Sequence, residues 1–227
     1  MAQSPGLTAA ARVRELRSRR RLTVGGLAAE MTKAGIPWGP ETVTEFEDGQ
    51  RQCLDVEELL ALAVVLSVPP VALLTDSRVP TVAVTPQVEV PTAYGLLWML
   101  GEQPLHGMTG SWTAETLAIR VTRRFHESMC TAEKAHGTLA TIERLAREGH
   151  LDFSTAESRR SDQERVLLHA LAELCNAVHD MRTNGIAIPR LVNEELLVTL
   201  ARGRGLTLDV GSERSPETAR RRLTSAQ

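Results

Sequence analysis

The chain has 227 residues, 42% of them hydrophobic, which is enough for one large domain or two small ones with packed cores. Aromatics make up only 3%, so the cores must be Leu, Val and Ala, a composition that favours helices over sheets. A formal net charge of −2 excludes a globally basic nucleic-acid binder and confines any basic surface to a local patch.

In chain order, Thr8 to Arg20 reads as a first helix, with Ala9, Val13 and Leu16 on one apolar stripe. Its other face is basic. Six arginines (Arg12, Arg14, Arg17, Arg19, Arg20, Arg21) and one acid, Glu15, give +5 between Thr8 and Leu22. Thr23 is placed to cap a second helix with Leu27, Ala28 and Met31 inward, Gly35 to stop it, and Ile36-Pro37-Trp38 to turn the chain. Pro40 fits the first position of a third helix that buries Val43 and Phe46 and stops at Gly49. Asp55-x-x-Glu58 is a capping box for a fourth helix burying Leu59, Leu62, Ala63 and Leu66. A short fifth helix is expected over Pro69 to Leu74.

These elements resemble the lambda-repressor-like (Cro/XRE-type) helix-turn-helix family over about residues 8–75. The Leu27-Ala28 pair, Val43-x-x-Phe46-Glu47-x-Gly49, and Asp55-x-x-Glu58-Leu59-Leu60-x-Leu62-Ala63 with Val68-Pro69 carry the resemblance. Two features depart from the family pattern. Met31 and Val43 are twelve apart, a longer turn than usual, which we read as an extra helical turn through Lys33 with Ile36 or Trp38 filling the gap. Val24 and Glu45 stand where the family often has Gln and a basic residue.

The resemblance implies a DNA-binding domain over 1–76. It implies DNA contacts by Arg17, Arg20, Arg21, Thr23, Val24, Gly39, Glu41, Thr42, Thr44, Glu45, Gln50 and Arg51. The third helix is acidic, so phosphate contacts fall to the arginines of the first helix and to Arg51, and the helix starts at Thr23 and Gly39-Pro40 add N–H groups and positive dipole ends. Glu41 or Glu45 suits a cytosine amino group, and Thr42 and Thr44 suit a base edge or a thymine methyl.

Beyond this, 77–91 ("SRVPTVAVTPQVEVP") reads as an extended linker with three prolines and at most an edge strand. A helical region is expected over 92–210: a short helix from Thr92 to Gly101, two long amphipathic helices from Thr113 to Arg147 and from Ser161 to Arg182, and a last helix from Arg190 to Arg202. The stripes are Leu117, Val121, Phe125, Ala132, Leu139, Ile142 and Ala146 on one helix and Leu167, Leu171, Leu174, Val178 and Met181 on the other. Such a hairpin needs the Thr92 helix, the last helix or a second copy to cover it, and is read as the dimer module. Residues 211–227, with Arg220-Arg221-Arg222, read as a disordered basic tail.

His126-x3-Cys130 and Cys175-x3-His179 fall opposite each other in an antiparallel hairpin and have the donor set for tetrahedral zinc. Their helical phase, away from the Leu117/Val121/Leu139 stripe, argues against a metal site, so no metal or cofactor is expected. No G-x-S-x-G, phosphate loop or H-E-x-x-H is present, so no enzyme is expected.

The fold class expected is therefore all-α. The function expected is that of a DNA-binding transcriptional regulator, most simply a repressor, binding double-stranded DNA as a homodimer on a palindromic operator. A protein or small-molecule effector at the C-terminal region fits this reading. The alternative is a protein-interaction adaptor, antitoxin-like or phage-derived, that uses the same fold to hold a partner. No secretory h-region follows Met1, and Leu59 to Val68 is too short to span a bilayer. Three scattered cysteines fit a reducing compartment, so a cytoplasmic, nucleoid-associated protein without membrane contact is expected.

Overall fold

A computed structural model describes residues 4–51, 53–108 and 112–211. The fold is mostly helical, with one small two-stranded sheet. The chain divides into two compact units, Met1–Trp112 and Thr113–Gln227.

In the first unit, α1 (Pro5–Arg19) starts earlier than its stripe indicates, because Pro5 occupies the first turn and the Ser4 Oγ accepts from the Leu7 N–H. Then follow α2 (Val24–Lys33), α3 (Pro40–Glu47), α4 (Val56–Val65) and the single turn α5 (Val71–Leu74). α1 packs on α3 and α5, and α2 packs on α3 and α4. Val13, Leu27, Met31, Val43, Phe46, Leu62 and Leu73 meet in one core and are fully buried. Each such side chain contributes about 1.5–3 kcal/mol by leaving water.

The helix ends are set locally. Gly35 (φ 91°) and Gly49 (φ 72°) close α2 and α3 in left-handed turns. The Ile36 N–H donates to the Met31 carbonyl, and the Gln50 N–H to the Glu45 carbonyl, both at 2.9 Å. The capping box of α4 forms in both directions: the Glu58 N–H donates to Asp55 Oδ1 at 2.7 Å, and the Asp55 N–H to Glu58 Oε2 at 3.2 Å.

Residues 77–91 are not a linker. They form a hairpin, β1 (Thr81–Thr85) antiparallel to β2 (Val88–Pro91), with Thr81 opposite Pro91 and Val82 opposite Val90. Pro80, Pro86 and Pro91 stand before β1, in the turn and at the end of β2, where the sheet tolerates the missing N–H. Thr85 Oγ1 accepts from both the Gln87 and Val88 N–H groups and holds the turn. Val82 and Ala83 are both buried, Val82 beneath α6 (Thr92–Met99) and Ala83, next along the strand, on the opposite face. α6 crosses the hairpin closely at Gly95, where a Cβ would lie 2.6 Å from Val82 Cγ1. Arg78 reaches from the start of this segment to Glu15 on α1, so hairpin and α6 belong to the first unit, whose boundary lies at 112 and not at 76.

A short α7 (Trp112–Glu115) begins at the last residue of the first unit, and the second unit continues with α8 (Leu117–Arg147) and α9 (Phe153–Thr183). At 31 residues each, these helices run roughly 46 Å. α9 begins eight residues before Ser161, because Asp152 Oδ1 accepts from the Thr155 N–H at 2.9 Å and caps the helix inside what reads as loop. α10 (Glu194–Arg202) packs on α9. Leu191, Leu197, Ala201 and Leu208 join Val121, Phe125, Leu171, Leu174 and Met181 in the core. Of the three covers the hairpin called for, the last helix supplies one, over part of its length. Gly211 is described; the expected basic tail beyond it, with Arg220 to Arg222, lies outside the described residues.

Candidate nucleic-acid interface

α3 and its C-cap Asp48 carry four acids, and the structure sorts them into two pairs. Glu47 is buried, its side chain 3% exposed, and it takes two parallel hydrogen bonds from Arg17: Nε to Oε1 at 2.6 Å and Nη2 to Oε2 at 2.7 Å. Arg17 also donates to the Leu22 carbonyl, and its pKa is raised, foremost by the hydrogen bond to Glu47. Arg14 bridges Glu47 and Asp48. Glu41 and Glu45 are exposed, with no ion pair or hydrogen bond from their carboxylates among the described residues.

The basic face of α1 is correspondingly reduced. Arg12 and Arg19 both pair with Glu15, which also receives Arg78, and Arg12 Nε donates to the Ala72 carbonyl. Of the six arginines that make up the +5, only Arg20 and Arg21 have no acidic partner among the described residues. Arg20 is exposed and donates to the Val65 carbonyl, and Arg21 is exposed at the left-handed end of α1 (φ 56°). Arg17, expected at phosphate, is instead a side chain that joins α1 to α3. Carboxylates thirty residues away in sequence compete successfully for it, because both partners are largely removed from water.

The remaining expected residues divide in the same way. Thr23 caps α2, its Oγ1 accepting from the Gly26 N–H at 2.9 Å. Val24 is half-buried against the core, so it presents little side chain outward. Gly39 is the N-cap of α3, without a side-chain cap. Thr42 is half-buried, and the Thr44 hydroxyl donates to the Pro40 carbonyl. Arg51 is turned back onto the fold: its Nη2 donates to Glu58 Oε1 at 2.6 Å, and its guanidinium lies 5.3 Å from the centroid of the Trp38 ring. Trp38, not Ile36, is the buried plug of the long turn; its Nε1–H donates to the same Glu58 oxygen at 2.8 Å, and its ring tilts against Phe46.

Burial works to raise the Glu58 pKa. The hydrogen bonds from Trp38, Arg51 and the Asp55 backbone, with the Arg51 charge, outweigh it and lower the pKa below the ordinary carboxylate value. The sequence reading missed this Trp38–Glu58–Arg51 cluster, although the capping box had already fixed Glu58 at the start of α4.

What is brought together at one surface is the outward side of α3 (Glu41, Thr44, Glu45, then Gln50). Near the entry to α2 stand Arg20, Arg21 and the first backbone N–H groups of that helix, which carry the positive dipole end. Elsewhere, His126 Nε2 lies 3.6 Å from Cys130 Sγ, and burial raises the thiol pKa of Cys175. Among the described residues no group of three or more His, Cys, Asp or Glu is placed to hold a metal ion. Among the same residues no helix is long and apolar enough to cross a membrane. No family model, curated protein or solved structure matches the chain.

Proposed function

We propose that the first unit is a helix-turn-helix domain that binds double-stranded DNA and that the protein is a transcriptional regulator. The observation that carries this reading is the two-sidedness of α3. Val43 and Phe46 are fully exposed to the core and closed to water, while the side chains of Glu41, Glu45 and Gln50 face solvent and make no contact that the fold requires. A helix held rigidly by one face and free on the other is suited to reading base edges in the major groove. Its carboxylates select for cytosine amino groups, and Arg20, Arg21 and the start of α2 supply the positive potential toward phosphate. With so few unpaired cations, non-specific affinity is expected to be low and discrimination between sequences high.

Selection from a random duplex library by the full chain at low salt tests this reading. Enrichment of one sequence motif, lost when α3 carries Glu41→Ala and Glu45→Ala, is the expected result. Recovery of an unenriched library overturns it. The acidity of the free face favours a second reading, an adaptor whose α3 binds a basic protein surface. A chain that enriches no duplex but loses a co-purifying basic partner on the same two substitutions supports the adaptor.

A further inference from the structure

In α9 the residues facing α8 recur every seven positions. Leu167, Leu174 and Met181 form one series and Ala170 and Ala177 the other, all buried. Counting back toward the start of the helix, the first series continues through Arg160 to Phe153 and the second through Gln163 to Ala156. Phe153 thus has the phase of the buried seam, yet it is 85% exposed. The other two phenylalanines, Phe46 and Phe125, are buried. The cluster that α10 closes reaches only as far as Leu139 on α8 and Leu167 on α9. Beyond it the seam opens into a cavity of about 350 Å³ walled by Ile142, Ala146, Phe153 and Ala156.

We infer that this tip is an interface between two copies of the chain, with Phe153 of each seated over the other's cavity. The anchor and the pocket that fits it lie on the same tip, as a two-fold contact requires. The rim points to the same occupant. Glu143 and Arg147 on α8 and Glu157 and Arg160 on α9 border the cavity, one acid and one base from each helix. A neutral rim of both signs matches itself on rotation, whereas a partner of one sign meets like charge on half of it. The present contacts of these bases are exchangeable: Arg160 reaches Glu164 at 3.4 Å, and Arg147 donates to its own helix at the Glu143 carbonyl. The inference stands on the second unit alone and does not depend on what α3 binds.

Sedimentation equilibrium of the full chain without DNA, at micromolar concentrations, tests it. Wild type is expected to be a dimer and Phe153→Asp a monomer with an unchanged circular-dichroism spectrum, since Phe153 contributes little to the core of its own chain. Glu157→Arg and Arg147→Glu each tip the rim toward one sign and are each expected to raise the dimer Kd severalfold. A monomeric wild type means that the tip is covered by some other molecule and overturns the inference. So does a Phe153→Asp variant that dimerises like wild type, or rim variants that both dimerise like wild type. Because no DNA is present, none of these results bears on the DNA reading.

Discussion

The Arg17 guanidinium and the Glu47 carboxylate lie edge to edge in two parallel hydrogen bonds, joining the last turns of α1 and α3. This pair decides how the acidity of α3 should be read. Glu47 is buried beneath Arg17, and together they leave the outer surface, while Arg14 and Asp48 neutralise each other in a pair that stays exposed.

Removing one member of a buried pair costs up to about 3–5 kcal/mol where the other is left with no partner. Arg14 still reaches Glu47 and the Leu22 carbonyl still accepts from Arg17, so Arg17→Ala and Glu47→Ala are each expected to destabilise the fold by less than that but by more than about 1 kcal/mol, measured by urea denaturation of the full chain followed through the first unit. Arg20→Ala, at an exposed position, is expected to change stability by less than about 1 kcal/mol. An Arg17→Ala variant as stable as wild type would show the pair to be an exposed contact of no consequence.

Glu58 gives the fold a pH dependence. Its folded pKa is lowered from the ordinary 4.5, so its contribution is complete above that value and is lost as pH falls through the folded value. Asp76, held at about 2 against an ordinary 3.8 chiefly by the hydrogen bond from Arg78, acts in the same direction at lower pH. Unfolding free energy is thus expected to decline from pH 5 toward pH 2. Glu58→Gln is expected to be less stable at neutral pH and to show a shallower decline between pH 5 and 3. A parallel curve displaced to lower stability would mean that the Glu58 charge contributes nothing.

Much of the fold is legible because its signals are local. Gly35, Gly49 and the Asp55–Glu58 box act within one turn of chain, and each ends or starts a helix where the sequence places it. The hairpin was not legible because its prolines read as breakers; only pairing shows that they stand at strand ends. The start of α9 was hidden because Asp152 caps a stretch, Phe153 to Arg160, whose seam residues include an arginine and an uncovered Phe. The candidate site was legible as a place and not as a charge map. Which arginines stay free is decided by Glu15, Glu47 and Asp48, and for the last two the partners are 30–34 residues away.

Gly95 tests whether hairpin and α6 form a packed unit. A Cβ there meets Val82 Cγ1 at 2.6 Å and Val90 Cγ2 at 3.2 Å, and Val82 is buried. Gly95→Ala is expected to cost about 1–3 kcal/mol as overpacking, despite the better helix propensity of alanine. Combined with Val82→Ala, its cost is expected to shrink, giving a favourable coupling in a double-mutant cycle. If Gly95→Ala stabilises the chain, α6 does not sit against β1 and the segment is a linker after all.

The last prediction separates affinity from specificity on the proposed DNA surface. Arg20 and Arg21 are the arginines of the α1 run without an acidic partner among the described residues, so they carry the phosphate contacts in this reading. Each substituted by Ala is expected to weaken cognate and scrambled duplexes alike and to reduce the slope of log K against log salt by about 0.9. Arg17→Lys, which keeps the charge beside Glu47, is expected to leave that slope unchanged. Glu45→Ala removes a free carboxylate from the reading face, so binding to a scrambled duplex is expected to hold or tighten. Discrimination at one base pair is expected to fall by about 1–3 kcal/mol, because the acceptor for a cytosine amino group is gone. Titrations of both duplexes at several salt concentrations read all of these effects. If Glu45→Ala weakens both duplexes equally, Glu45 supports the fold and does not read bases. If the slope is unmoved by Arg20→Ala and Arg21→Ala but falls with Arg17→Lys, then binding draws Arg17 out of its pair with Glu47, and the charge map of the free protein is not the one that meets DNA.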